Sequence, residues 1–224
     1  MSDPSGIVAP ERRGISYFLG WWFFRIYTGL YHRRQVFNEE RIPRTGGVIL
    51  ASNHLSYIDP PLVGCSTRRV IHYLARASAF KGAIGGAILR SWNSIPVDRD
   101  GGSAKGLRTI LECLREGRAI MMFPEGTRSP DGTQQASRPG IGLMIAKSDA
   151  PVIPVRVFGT YEAYGRHHAI PRPRRVQVKF GEALGFKELR VEASECNPDR
   201  RREVYDEITT KLMATIALLE SRTD

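Results

Sequence analysis

Two short segments of the sequence hold residue types that could activate a hydroxyl group on a phosphorylated molecule. Residues 53–59 read NHLSYID and combine an imidazole with a nearby carboxylate. Residues 123–129 read FPEGTRS and place an arginine just after a glycine-containing turn. A neutral imidazole can take a proton from a hydroxyl, and a guanidinium can bind a phosphate through two parallel hydrogen bonds. The two segments therefore suggest a proton acceptor beside an anion clamp.

His54 and Asp59 can form a pair only if the chain between them is not a regular helix. On a helix, an offset of five residues would place the side chains roughly 140° apart, because each residue turns about 100°. Pro60 and Pro61 favour a turn that leads into a helix, which would let the side chains meet. A carboxylate on one imidazole nitrogen fixes the tautomer and stabilises the imidazolium. From spacing alone, an equal alternative is that Asp59 caps the next helix and His54 is a polar turn residue.

The segment at 123–129 has the features of an anion-binding turn. Glu125 and Gly126 follow a proline that ends a strand, and N–H groups in such a turn can point at an anion. Thr127 offers a hydroxyl, and Arg128 offers a planar fork that matches a phosphate. Taken alone, a plain strand-to-loop turn with solvated charges explains the segment equally well.

Motifs of several other enzyme classes are missing from the sequence. It contains no GxxxxGKS/T or GxGxxG loop for a nucleotide, no GxSxG serine elbow and no HExxH metal pair. Cys65, Cys113 and Cys196 are widely spaced and form no CxxC pair, which favours reduced thiols in a cytoplasmic compartment. We therefore expect no metal site.

The composition fits one α/β domain with an anionic partner. The chain has 224 residues, 42% of them hydrophobic, which suffices for a sizeable core. Lysine and arginine number 33 against 23 aspartate and glutamate, so the net charge is +10. This excess favours nucleic acid, an anionic membrane surface or a phosphorylated substrate, although a merely soluble basic protein would also show it.

Hydrophobic periodicity predicts the strands and helices that must position the two segments. Predicted strands cover 48–51, 70–74, 95–97, 118–123, 152–158 and 176–180, and predicted helices cover 15–31, 60–67, 79–92, 103–116, 139–147 and 199–219. This alternation predicts a layered single domain with a mostly parallel central sheet flanked by helices. We expect a catalytic domain at 37–224, preceded by a helical segment at 1–36.

The helix predicted at 15–31 has the composition of an amphipathic helix in a membrane interface. Its apolar residues recur at helical spacing, two tryptophans adjoin, and basic residues stand at both ends. Arg25 interrupts the run, which is shorter than the roughly 20 apolar residues of a membrane span. The alternative is a helix packed on the protein's own core. We expect the interfacial helix, and hence a peripheral, monotopic protein.

Four blocks in order across residues 47–159 resemble the glycerolipid acyltransferase family, specifically its bacterial 1-acyl-glycerol-3-phosphate acyltransferases. The first and third blocks are the two segments described above, and the third matches in full. The second is a short strand ending in Arg99, although Asn93 stands where the family usually has glycine. The fourth is the strand at 151–155, and residues 160–224 match no diagnostic block.

The resemblance implies a role for each residue in these blocks. It implies that His54 is the general base with Asp59 as its partner, and that the acceptor hydroxyl attacks an acyl thioester directly. No acyl-enzyme and no metal would then be needed. It also implies that the glycerol-phosphate part of the acceptor is held by Arg99, Glu125, Gly126, Thr127 and Arg128.

Further basic residues are candidates from the sequence. Lys105 and Arg138 could contact the phosphate, although a solvated position explains each of them as well. The basic, proline-broken run at 166–175 could touch anionic headgroups or the phosphates of coenzyme A, or be a plain exposed loop.

The function that the resemblance implies is acyl transfer in phospholipid biosynthesis. A fatty acyl group would move from acyl-coenzyme A or acyl carrier protein to the free hydroxyl of lysophosphatidic acid, giving phosphatidic acid. No cofactor is expected, and the partners would be the lysophospholipid, the donor and an anionic membrane surface at the cytoplasmic face, with no nucleic acid. The alternatives are another acceptor such as a lyso-ornithine lipid, a thioesterase or lipid hydrolase, and a non-catalytic basic module.

Overall fold

The computed structural model describes residues 14–97, 104–138 and 140–222, and within them seven strands form one sheet. In chain order these are β1 Gln35–Phe37, β2 Val48–Ser52, β3 Ile71–Arg76, β4 Ser94–Val97, β5 Ala119–Met122, β6 Val152–Phe158 and β7 Gln177–Phe180. The order across the sheet is β1-β7-β6-β2-β5-β3-β4. All neighbouring strands are parallel except β6 and β7, which are antiparallel. The predicted fold class is therefore confirmed.

Helices cover both faces of the sheet. Those in the described residues are α1 Ile15–Leu30, α2 Asp59–Cys65, α3 Ala83–Ser91, α4 Ala104–Arg115, α5 Ile141–Ala146, α6 Thr160–Tyr164, α7 Lys187–Glu195 and α8 Pro198–Leu218. Side chains of α4, α5, α7 and α8 form the buried cluster on one face. Side chains of α2 and α6 contribute to the cluster on the other face.

The centre of the sheet brings the two candidate segments together. The adjacent strands β2 and β5 are buried at every position, as expected for apolar runs covered on both faces. They are parallel, and Ala51 pairs with Met122 where the two strands end. The carboxyl ends of parallel strands lie at the same edge of a sheet. The segments that follow the neighbouring strands β2 and β5 therefore begin side by side.

The structure differs from the predicted elements in short or weakly periodic stretches. The helix predicted at 79–92 is instead a 3-10 turn at Ala77–Phe80 followed by α3, with Gly82 in an extended conformation between them. The elements β1, α6 and α7 were not predicted. A strand of three residues and a helix of five show too few periods to be seen in sequence, and α7 is mostly polar.

One face of α1 packs on the body of the protein. The indole N–H of Trp21 donates to the carbonyl of Gly64 at 3.1 Å, and the hydroxyl of Tyr17 accepts from the backbone N–H of Ile71 at 2.9 Å. The opposite face is apolar and exposed, and its contact with a membrane stays a prediction. None of the described helices has both the length and the hydrophobicity of a membrane span. The boundary between segments 1–36 and 37–224 stays a prediction, and residues 1–13 lie outside the described residues.

Candidate active site

The side chains of His54 and Asp59 meet in the loop between β2 and α2. The ring nitrogen Nδ1 of His54 lies 3.0 Å from Oδ2 of Asp59, whose side chain is fully buried. The segment between them is a turn, and Asp59 is the first residue of α2, so the geometry is that of the predicted turn rather than of a helix.

The Asp59 carboxylate faces back into the loop instead of capping its own helix. Its Oδ2 accepts hydrogen bonds from the backbone N–H groups of Leu55 and Ser56, each at 2.6 Å, in addition to the imidazole. Because the carboxylate is a pure acceptor when ionised, His54 Nδ1 must be the donor, and Nε2 then carries the lone pair. Among the described residues none hydrogen-bonds to Nε2, so this nitrogen can accept a proton from a ligand.

Phe123 fixes the orientation of the imidazole from the other segment. The rings of His54 and Phe123 are stacked, with centroids 3.9 Å apart and planes 19° apart. The backbone N–H of Ser129 donates to the carbonyl of His54 at 2.8 Å. Asn53, just before His54, continues the hydrogen bonding of the sheet through its side chain. Its amide group donates to the carbonyl of Val157 and accepts from the N–H of Val157.

Glu125 joins the two segments by hydrogen bonds to the backbone. It is 1% exposed, and its two carboxylate oxygens accept from the N–H of His54 at 3.1 Å and the N–H of Gln135 at 3.2 Å. Burial raises the pKa of Glu125 to about 7, against the opposing effect of these two N–H groups. Both oxygens are thus engaged within the protein, so the geometry favours a loop-bridging position over the phosphate contact that the resemblance implies.

Gly126 and Thr127 form the turn after β5. Gly126 adopts a left-handed conformation with φ of 66°, and a Cβ atom there would lie 2.6 Å from Cγ of Arg138. Its N–H donates to the carbonyl of Phe123 at 2.9 Å, so this N–H closes the turn and does not point at an anion. Thr127 is half-buried beside it. Glycine is required at 126 for conformation and for space.

Arg128 is held by an aromatic ring rather than by a carboxylate. Its guanidinium carbon lies 3.4 Å from the centroid of the Tyr57 ring. One terminal nitrogen, Nη1, is buried and has no hydrogen-bond partner among the described residues. The guanidinium therefore keeps an unneutralised charge and an unused donor next to the loop that carries His54 and Asp59.

The structure describes only some of the remaining basic candidates. Arg99 and the side chain of Lys105 lie outside the described residues, so their predicted contacts stay predictions. Arg138 packs across Gly126 and donates its backbone N–H to the carbonyl of Pro124 at 2.8 Å. In the run at 166–175, the Arg166 guanidinium donates to the carbonyl of Arg128 at 3.5 Å, which brings that loop to the edge of the site.

An apolar cavity reaches Phe123, the neighbour of His54. Its volume is about 240 Å³, and it runs between α1, α2, α3 and the sheet. Phe123 is one of its lining residues, and the Phe123 ring stacks on the His54 ring. The other walls are mostly apolar and include Gly20, Trp21, Phe24, Leu89, Trp92 and Met121.

Three residues of this site were not identified from the sequence as functional. Tyr57, Phe123 and Asn53 lie inside the two segments, but their contacts join parts of the chain that are distant in sequence. Aromatic residues within a polar, chemistry-bearing segment are the signal that could have marked Tyr57 and Phe123. Within the described residues, no group of three metal-binding side chains occurs.

The fold and the site define an acyltransferase. The model of the Acyltransferase family matches residues 33–158, more than half of the chain, and the chain belongs to this family. A 1-acyl-sn-glycerol-3-phosphate acyltransferase of Bacillus subtilis is 27% identical over 151 residues, which cover 67% of this chain and 73% of that protein. An enzyme of the same name from Borreliella burgdorferi is 28% identical over 127 residues, 56% of this chain and 51% of that protein.

A solved structure shares the fold. The crystal structure of the 1-acyl-sn-glycerophosphate acyltransferase PlsC of Thermotoga maritima matches with a TM-score of 0.68 and 24% sequence identity. The match covers 92% of this chain and 81% of the other. The similarity extends well beyond the region of the family model, and it establishes the architecture of the described residues.

Proposed function

We propose that the protein transfers a fatty acyl group from a thioester to the free hydroxyl of lysophosphatidic acid, giving phosphatidic acid. The observation that carries this proposal is the arrangement of His54, Asp59 and Arg128 at one edge of the sheet. The relatives named above are 1-acyl-sn-glycerol-3-phosphate acyltransferases, which supports this acceptor.

In the proposed mechanism, Nε2 of His54 accepts the proton of the acceptor hydroxyl as its oxygen attacks the thioester carbonyl. The carbon–sulfur bond then breaks, and the leaving thiolate can take up that proton from the imidazolium. Asp59 holds the tautomer and stabilises the imidazolium, as in other histidine–carboxylate pairs. The chain contributes a base and its orienter, and the nucleophile is the acceptor itself.

The acceptor phosphate would bind to Arg128. The buried Nη1 of that residue has no hydrogen-bond partner within the described residues, and the stacked Tyr57 ring leaves its charge available. A guanidinium can then form charge-assisted hydrogen bonds to phosphate oxygens. Thr127 and Arg99 are proposed as further contacts on the basis of the resemblance.

The acyl chain would occupy the apolar cavity. Phe123 lines this cavity and stacks on the imidazole, so an acyl chain whose carboxyl end lies at Phe123 would present that end to His54. The donor is proposed to be acyl-coenzyme A or acyl carrier protein, and the basic loop beside Arg128 is suited to phosphates of either.

We also propose that the protein works as a peripheral enzyme at the cytoplasmic face of a membrane. The exposed face of α1 carries large apolar side chains, namely Ile15, Phe18, Leu19, Trp22, Phe23, Ile26 and Leu30. Aromatic and aliphatic side chains of this kind suit the headgroup boundary of a bilayer, where both the lysolipid and the product are held.

The experiment that tests the function is a transfer assay with a panel of acceptors and both classes of donor. We expect the highest kcat/KM with lysophosphatidic acid. Higher activity with a lyso-ornithine lipid would replace the proposed acceptor. Release of free fatty acid at the same rate without any acceptor would instead show a thioesterase.

A further inference from the structure

The helix α3 carries an exposed aliphatic stripe. Ile84 is 79% exposed and Ile88 is 47% exposed. Ser91 lies three residues beyond Ile88, so the three side chains share one face of the helix. Two large aliphatic residues on one exposed face of a nine-residue helix form a surface that neither the sheet nor the catalytic loops require.

This stripe adjoins the exposed face of α1. The hydroxyl oxygens of Ser91 and Ser16 are 3.0 Å apart, so the end of the stripe touches the start of α1. The rings of Trp92 and Phe24 form a T-shaped pair with centroids 5.8 Å apart, and the Trp92 ring also lies close to Gly20. The apolar surfaces of the two helices are therefore neighbours.

The charge around α3 indicates which partner the surface fits. Arg76, Lys81 and Arg90 are exposed at its borders, and residues 76–97 contain no aspartate or glutamate. Aliphatic side chains flanked by cations suit a bilayer with anionic lipids. We propose that Ile84 and Ile88 form a second membrane contact, which docks with α1 onto the anionic leaflet of a lipid bilayer.

The position of the cavity suggests what the α3 contact does, and this part of the inference rests on the proposed function. Leu89 and Trp92 line the cavity opposite Gly20, Trp21 and Phe24 of α1. With both helices in the leaflet, the cavity lies between two membrane-embedded walls. An acyl chain then passes from the leaflet into the cavity without crossing water.

Liposome flotation of the full chain tests the proposal. The double variant Ile84→Asp/Ile88→Asp should bind vesicles of phosphatidylcholine and phosphatidylglycerol about tenfold or more weakly than the wild type. The matched control is Val191→Asp on α7, which is 50% exposed and should leave vesicle binding unchanged. The variant Ile84→Trp should bind more tightly, because tryptophan favours the interface.

Other outcomes separate this inference from the proposed function. The double variant Leu19→Asp/Ile26→Asp on α1 provides a comparison. If this variant no longer floats with the liposomes while the α3 variant floats like the wild type, the α3 contact is disproved and docking through α1 stands. A folded α3 variant that loses activity on a short-chain, water-soluble acceptor would place the stripe in the active site and overturn the proposal. A wild type that binds vesicles but transfers no acyl group would refute the function and leave the contact intact. Circular dichroism checks the folding, and Ile84→Trp tests the idea even if the aspartate variant unfolds.

Discussion

The guanidinium carbon of Arg128 lies 3.4 Å from the centre of the Tyr57 ring. Tyr57 stands between His54 and Asp59 in sequence, so the residue proposed to bind phosphate rests on the loop that holds the proposed catalytic pair. The backbone N–H of Tyr57 donates to the carbonyl of Tyr164 at 3.4 Å, and the Tyr164 ring lies beside its ring at 5.2 Å. The aromatic ring orients the guanidinium and leaves its positive charge unneutralised, whereas a carboxylate in the same place would neutralise it.

Replacing Tyr57 by leucine should therefore weaken the binding of phosphorylated acceptors. The loss of a cation–π contact predicts a rise in KM of about 3- to 30-fold for lysophosphatidic acid, with a smaller change in kcat. Tyr57→Phe is the matched control, because it keeps the ring and should stay close to the wild type. An equal loss in both variants would show that the hydroxyl, rather than the ring face, matters.

Removal of the Arg128 charge should discriminate between acceptors. Arg128→Ala should lower kcat/KM for lysophosphatidic acid by about 10- to 100-fold, since charge-assisted hydrogen bonds are lost. An uncharged monoacylglycerol should be affected much less. Arg128→Lys should restore part of the difference, because it keeps the charge but not the planar fork. Similar losses for both acceptors would rule out Arg128 as the phosphate ligand.

His54→Ala should lower kcat by about 10²- to 10⁴-fold, the usual contribution of a general base, while acceptor binding persists. Asp59→Asn should also reduce turnover, because the imidazole loses its charged partner. Thermal unfolding must be recorded beside the kinetics, since Asp59 Oδ2 also accepts two backbone N–H groups. A correctly folded His54→Ala protein with nearly wild-type turnover would refute the mechanism.

The buried carboxyl of Glu125 should make stability depend on pH. Its pKa is raised from 4.5 to about 7, so the folded state holds the proton more tightly than the unfolded state. Stability from this group is present below about pH 4.5 and is lost as the pH rises through about 7. The free energy of unfolding of the wild type should fall relative to Glu125→Gln by on the order of 3 kcal/mol across that range.

Urea unfolding of both proteins at several pH values measures this difference. Replacing Glu125 shifts the stability by a constant amount through its two backbone contacts, so the pH dependence of the difference is the quantity of interest. A difference that stays flat, or that grows with pH, would contradict a raised pKa.

The sequence predicted the features that depend on a periodic apolar pattern or on residues close together in the chain. Apolar runs in β2 and β5 indicated buried parallel strands, and the proline pair after Asp59 indicated the turn that brings it to His54. The sequence did not predict that β2 lies beside β5, and this strand order is what brings the two segments out at one edge of the sheet.

Contacts between distant side chains were not predictable in this way. The ligand contact predicted for Glu125 came from the family resemblance, whereas its contacts with the N–H groups of His54 and Gln135 had no signal in the sequence. The orientation depends on a loop that returns to the site ten residues later. The aromatic run in α1 left core packing and membrane contact open because both require large apolar residues. In the structure one face of the helix packs on the protein and the other is exposed.

The pairing of Asn53 with Val157 has a consequence for the dynamics of the loop that carries His54. The side chain of Asn53 continues the hydrogen bonding of the central sheet by one step, immediately before His54. The N–H of His54 is then held by a buried carboxylate. Because these bonds join the loop to the innermost strands, the His54 amide should exchange with solvent only when the whole domain opens. Its exchange rate should therefore follow global stability, whereas amides in the exposed loop at 166–175 should exchange through local fluctuations.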